Sequence, residues 1–146
     1  MASDFIVIFN DRLHFGSHPG YFDDATVFRD ERLEPGVTFV GADKTISFAT
    51  PDIDLSQPAV LMYQSFDVTL PRNVIKVNGV DLLGGIPVCS RRGEWKSNLS
   101  VLAPGAMKKD VTNELFIEAH GETDDRENSC DNFILASVVV LYKTAA

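Results

Sequence analysis

Chain-reversing signals recur along the whole sequence at intervals of about ten residues. They include Ser17-His18-Pro19-Gly20, Glu34-Pro35-Gly36, Thr50-Pro51-Asp52, Asn78-Gly79, Gly84-Gly85, Arg92-Gly93 and Pro104-Gly105. A chain turned back this often has room only for short elements. The segments between the turns are apolar and rich in β-branched and aromatic residues, as strands favour. They run over 5–9, 37–40, 45–48, 60–70, 73–77, 80–83, 94–101, 114–120 and 132–142, with a weaker candidate over Ala25–Arg29. Phe5–Phe9 is apolar throughout and is expected to be buried on both faces. Asn78-Gly79 is a strong hairpin signal and pairs 73–77 with 80–83. The last segment, 132–142, is β-branched bulk with a polar break. No window of about a dozen residues shows an apolar stripe at helical spacing, and 104–109 offers at most one short turn. The expected fold is all-β: a two-sheet antiparallel β-sandwich of jelly-roll type, whose double layer hides one face of each strand.

The 146 residues fit one domain, 1–146. A chain of this size buries a sufficient core without disulfide or metal staples. Ten phenylalanines, against three tyrosines and one tryptophan, supply much of that core. The formal charge of −8 argues against nucleic acid and against anionic membrane surfaces. It suits a neutral ligand such as a sugar, a cation, or simple solubility. No run of roughly 18 apolar residues is present, so no membrane span is expected. The start, MASDFIVIFN, has no basic region and no cleavage site, so the expected location is cytoplasmic, or exported without a Sec signal peptide. Cys89 and Cys130 form no metal motif. They read as reduced and buried, with one long-range bridge as the alternative in an oxidising compartment.

One stretch is more specific. Residues 73–79 read NVIKVNG; then come Trp95, Val101-Leu102-Ala103-Pro104 and Thr112-Asn113-Glu114-Leu115-Phe116-Ile117. This order resembles the galactose-binding-domain-like jelly roll found in carbohydrate-binding modules, over residues 58–142. The resemblance implies a non-catalytic, lectin-like module. The same scaffold also serves protein contact, so the alternative is a structural or assembly protein that packs on copies of itself or docks on a larger complex.

Trp95 is the sole tryptophan and is expected either in the core or as a platform for a sugar ring. Arg91, Arg92 and Glu94 lead into it, and a guanidinium fork can grip a carboxylate or paired hydroxyls. A solvated loop is the plainer account of the same residues. Acidic clusters at Asp23-Asp24, Asp52/Asp54 and 122–131 offer oxygens for Ca²⁺, but none follows the EF-hand pattern. His14 and His18 stand four apart. Gly16, Pro19 and Gly20 deny them a shared helix face, so that spacing does not make a metal pair. No nucleophile elbow, phosphate loop or dinucleotide fingerprint is present. No catalytic residue is nominated.

Overall fold

The computed structural model describes residues 2–23, 28, 36–121 and 130–145. Nine strands lie among them: β1 Ser3–Phe15, β2 Val37–Gly41, β3 Asp43–Phe48, β4 Val60–Phe66, β5 Val74–Val77, β6 Val80–Asp81, β7 Trp95–Val101, β8 Asn113–Glu118 and β9 Phe133–Lys143. One 3-10 turn, Tyr21–Asp23, is the only helical element among the described residues. The five-stranded sheet has the order β2-β1-β9-β4-β7, and the four-stranded sheet β3-β8-β5-β6. All pairs are antiparallel except β1 with β2. Every connection other than β1–β2 and β5–β6 carries the chain to the opposite layer. That is the crossing habit of a jelly-roll sandwich, and the expected fold class holds.

Local chemistry explains the elements. Asn78 and Gly79 both adopt positive φ, 50° and 78°. A type I′ turn requires this at both central positions, and it closes the β5–β6 hairpin. In β8 the buried residues Asn113, Leu115 and Ile117 alternate with Glu114, Phe116 and Glu118. In β4 the buried Leu61, Tyr63 and Ser65 alternate with the exposed Met62 and Gln64. The inward rows meet in one core, where Leu61, Phe133, Leu135, Val138 and Val140 face Val77, Leu115 and Ile117. Phe15 stacks on Phe133 with ring centroids 5.5 Å apart.

Two polar ties hold the ends of the sandwich. At one end, the Asn78 side-chain amide donates to Asn113 Oδ1 at 2.7 Å and to the Ala106 carbonyl. Asn113 Oδ1 also accepts from the Lys108 N–H, and Asn78 Oδ1 from the Glu114 N–H. At the other end, Asp131 is buried. Its carboxylate accepts from the Thr69 hydroxyl and N–H, the Leu70 N–H and the Asn73 amide. Asn73, Asn78 and Asn113 are thus structural residues. The motifs behind the jelly-roll resemblance tie hairpin to loop.

Three of the sequence expectations matter below. First, β1 runs on through Asn10-Asp11 to Phe15. It is not buried on both faces, because Phe5 and Val7 are 60% and 48% exposed. Second, residues 104–109 make the one short turn expected of them, closed by the Ala106 N–H on the Ala103 carbonyl at 3.0 Å. Third, the strand candidate Ala25–Arg29 lies outside the described residues except for Phe28.

Candidate functional site

The outer face of the five-stranded sheet changes character along its strands. At one end β1, β9, β4 and β7 present His14, Ile134, Phe66 and Trp95 in one register row. Three residues of the β1–β2 connection, Tyr21, Phe22 and Phe28, cover that row. Tyr21, Phe22 and Phe28 pack on Phe66, with centroids of Phe22 and Phe66 5.7 Å apart. His14 is buried there, its ring edge-on to Phe22 at 4.6 Å and to Phe39 at 4.9 Å. Asn132 Oδ1 accepts the His18 N–H, so the 3.0 Å contact with His14 Nε2 makes that nitrogen the donor. Burial holds the His14 pKa below its ordinary value, with Asn132 and Asp23 opposing and His18 assisting the shift.

Trp95 is half-buried at the start of β7, its ring 5.1 Å from Phe66. Arg92 folds back over the same cluster. Its guanidinium lies 5.8 Å from the Tyr21 ring centre and 5.7 Å from that of Phe28, a cation–π placement. It donates to the Tyr21 hydroxyl and lies 3.6 Å from Asp67 Oδ2. Asp67 is fully buried, and its Oδ1 accepts the Gly93 N–H at 2.7 Å. Burial raises the Asp67 pKa, partly countered by that N–H and by Arg92. Arg92 is therefore the counter-ion that makes a buried carboxylate tolerable and clamps the 87–94 loop. Arg91 and Glu94 are exposed on that loop. Glu94 contributes its carbonyl, which accepts from the Asp67 N–H and the Cys89 thiol. Of the four residues named from sequence, Trp95 and Arg92 meet at the aromatic cluster, while Arg91 and Glu94 stand in solvent.

Beyond Trp95 the sheet is bulged. Two residues of β1, Asn10 and Asp11, lie between its pairs Phe9–Val138 and Arg12–Ala136, whereas β9 has only Ser137 there. Against β4, β9 carries the extra residue, since Met62 pairs with Val139 and Gln64 with Ala136. Ser137 takes a left-handed conformation, φ 53°, in the middle of a central strand. Bulges bend strands and re-aim side chains. Here they sink a depression of about 280 Å³ lined by Asn10, Arg12, Gln64, Trp95, Ala136 and Ser137. It shares Gln64 and Ser137 with a shallower trough of about 350 Å³ that runs on to Ser97, Met62, Val139, Leu141 and Phe5. Covered aromatics, polar depression and apolar trough thus follow one another along a single face.

Sequence reasoning missed Asn10, Arg12, Gln64 and Ser137, which come from three strands. The polar break in 132–142 was the one available signal. Other candidates place differently. His14 and His18 meet on Asn132, and no three His, Cys, Asp or Glu side chains converge on a metal geometry among the described residues. The Asp54 carboxylate accepts from Ser56, an ordinary turn. Residues 122–129 and Asp24 lie outside the described residues, and Asp131 is engaged as above. Cys89 is half-buried and Cys130 buried. A second cavity of about 200 Å³ lies between the β3–β4 and β7–β8 loops, lined by Ile53, Leu55, Pro58, Leu102, Pro104 and Met107 among others. No charged side chain lines it. No helix among the described residues is long and apolar enough to cross a membrane. No protein-family model matches the chain, and no curated protein is significantly similar to it in sequence.

Proposed function

We propose that the chain is a non-catalytic binding module that recognises a carbohydrate on the outer face of its five-stranded sheet, with Trp95 as the platform for a sugar ring. One observation carries this. The only tryptophan stands at the wall of a depression whose other side chains, Asn10, Arg12, Gln64 and Ser137, are almost all polar and come from neighbouring strands. Ligand sites combine an apolar surface with a few placed polar groups. An indole offers the apolar surface to a sugar's C–H face, and amides, a hydroxyl and a guanidinium suit its hydroxyls. Phe66 holds the ring, so little side-chain entropy is lost on binding. The likeness of residues 58–142 to galactose-binding-domain-like jelly rolls points the same way. Arg91 and Glu94 border the site from the loop, and Arg92 acts by holding the Trp95 end in place.

Because there is one tryptophan, its fluorescence reports on this site alone. Titration with a panel of neutral and acidic oligosaccharides is expected to give a saturable change. Trp95→Ala is expected to weaken binding about tenfold or more, as for loss of a buried aromatic contact. If no sugar class perturbs Trp95, carbohydrate recognition is refuted.

A second reading, self-association or docking on a larger assembly, is favoured by a different part of the same face. Phe5, Leu141, Val60 and Val101 form one cross-strand row, and Val7, Val139, Met62 and Leu99 the next. Exposed apolar arrays of this kind mark interaction surfaces. Light scattering across a concentration series tests this reading, and a strict monomer throughout would count against it.

A further inference from the structure

We infer that the Arg12 depression selects an acidic sugar, a uronate residue whose carboxylate meets the Arg12 guanidinium while its ring rests against Trp95. This rests on the carbohydrate reading above and narrows it to a ligand class.

The inference starts from charge. The chain carries 21 acidic and 13 basic residues, so a guanidinium has many carboxylates to choose from. Arg92 has found one in Asp67. Arg12 has none. It is half-buried on β1, and no hydrogen bond or ion pair engages it among the described residues. No acidic side chain lines its depression, where the other polar groups are the neutral Asn10, Gln64 and Ser137. Arg12 thus sits half-buried beside neutral polar groups, with no carboxylate to meet its fork in the free protein. A bound carboxylate would supply what the fold withholds, through the planar fork that matches it with two parallel hydrogen bonds.

The bulge adds a second, independent feature. Non-glycine residues in the left-handed region inside a strand are strained and cluster at binding sites. Ser137 is such a residue, and a bulged residue leaves its backbone groups outside the ladder. Its hydroxyl makes only a 3.5 Å contact to Asn10 Oδ1. Strain, a loosely held hydroxyl, two amides and an unpaired cation therefore converge on one depression beside the sole tryptophan. A neutral sugar would use the amides and the ring and offer the guanidinium hydroxyls alone, leaving its charge unmatched. A sugar carrying an anion uses all of them.

The test compares ligands that differ only in charge. Tri-galacturonate, its methyl ester and a sulfated trisaccharide are titrated by Trp95 fluorescence and calorimetry, at about 0.15 M salt so that the net charge of the protein is screened beyond roughly 8 Å. The free acid is expected to bind about tenfold tighter than the ester, the worth of one charge-assisted hydrogen-bond pair. Arg12→Gln is expected to abolish that preference, so that acid and ester bind alike. Arg12→Lys, which keeps the charge without the fork and guards against a misfolded glutamine variant, is expected to retain part of it. Equal binding of acid and ester by the wild type overturns this inference and leaves the carbohydrate reading standing. A preference that survives Arg12→Gln overturns it too, and tighter binding of the sulfated sugar replaces carboxylate by sulfate. Binding of none of the three sinks the inference; silence across the wider neutral panel as well sinks the parent reading with it.

Discussion

His14 shows how a single side chain turns part of an outer sheet face into interior. A strand histidine on the outer face of a sandwich sheet would ordinarily face water. Here Phe22 and Phe39 close over it, and Asn132 takes its proton-bearing nitrogen. Burial therefore favours the neutral ring in the native state and depresses its pKa. In the unfolded chain the ring titrates near 6.5. Below that value the unfolded state takes up a proton more readily than the native state, so stability falls as pH falls and levels off only below the depressed native pKa. His14→Gln keeps a donor for Asn132 and removes the titration. Between pH 7 and 5 the wild type is expected to lose stability relative to this variant, by at most about 1.4 kcal/mol per pH unit for one proton. Urea midpoints at several pH values measure the difference, and parallel curves would show that His14 is not held neutral. Asp67 works in the opposite sense. Its pKa is raised, so its own contribution is greatest in acid and declines as pH rises through the raised value. Comparing wild type with His14→Gln cancels that background.

At the scale of the element, β9 decides both the fold and the site. Its β-branched residues announce a central strand, and it is one, pairing with β1 and β4 along its length. Propensity alone says that valine at 137 would extend the β-branched run and strengthen the strand. The left-handed φ of Ser137 says the reverse, because a β-branched side chain is a poor fit to that region. Ser137→Val is expected to destabilise by about 1–2 kcal/mol, and Ser137→Gly to be neutral or mildly stabilising. Denaturant melts of the two variants decide, and a stabilising valine would mean that the bulge is absent. The bulge also explains what sequence reasoning could reach. The Asn78-Gly79 hairpin and the alternation of β8 are written in neighbouring residues, so they were legible. The exposure of Phe5 and Val7 was not, because an apolar run looks the same whether its second face is buried or open. Asn10-Asp11 resembles a turn, which hid the far half of β1. Trp95 stood out by being unique, and Arg91, Arg92 and Glu94 followed from adjacency along the chain. Arg12, Gln64 and Ser137 are neighbours only through strand order and a shifted register, which no local pattern encodes.

For the molecule as a whole, the open end of the outer face poses a question of size. Strands about 4.8 Å apart and alternate residues about 6.8 Å apart make the two apolar rows an array on the order of 250 Å². Stable dimers bury about 800 Å² on each partner. The rows alone fall short of that, so self-association through this face is expected to be weak, appearing only at high concentration. Sheets pack face to face about 10 Å apart, and Met62 lies in the second row, between Val139 and Leu99 and 42% exposed. A lysine there keeps its stem on the sheet and sets a charge in the middle of any such contact. Met62→Lys is expected to leave the melting temperature within a few degrees, since the site is on the surface, and to abolish concentration-dependent association in sedimentation velocity. Association unchanged by Met62→Lys would move the interface elsewhere. Met62 also lines the trough that leads from the Arg12 depression, so a glycan long enough to run along the trough competes for the surface a second copy would cover. Ligand and partner then oppose each other. Saturating sugar is expected to drive the concentrated protein toward monomer, and the same sugar is expected to bind more weakly as protein concentration rises.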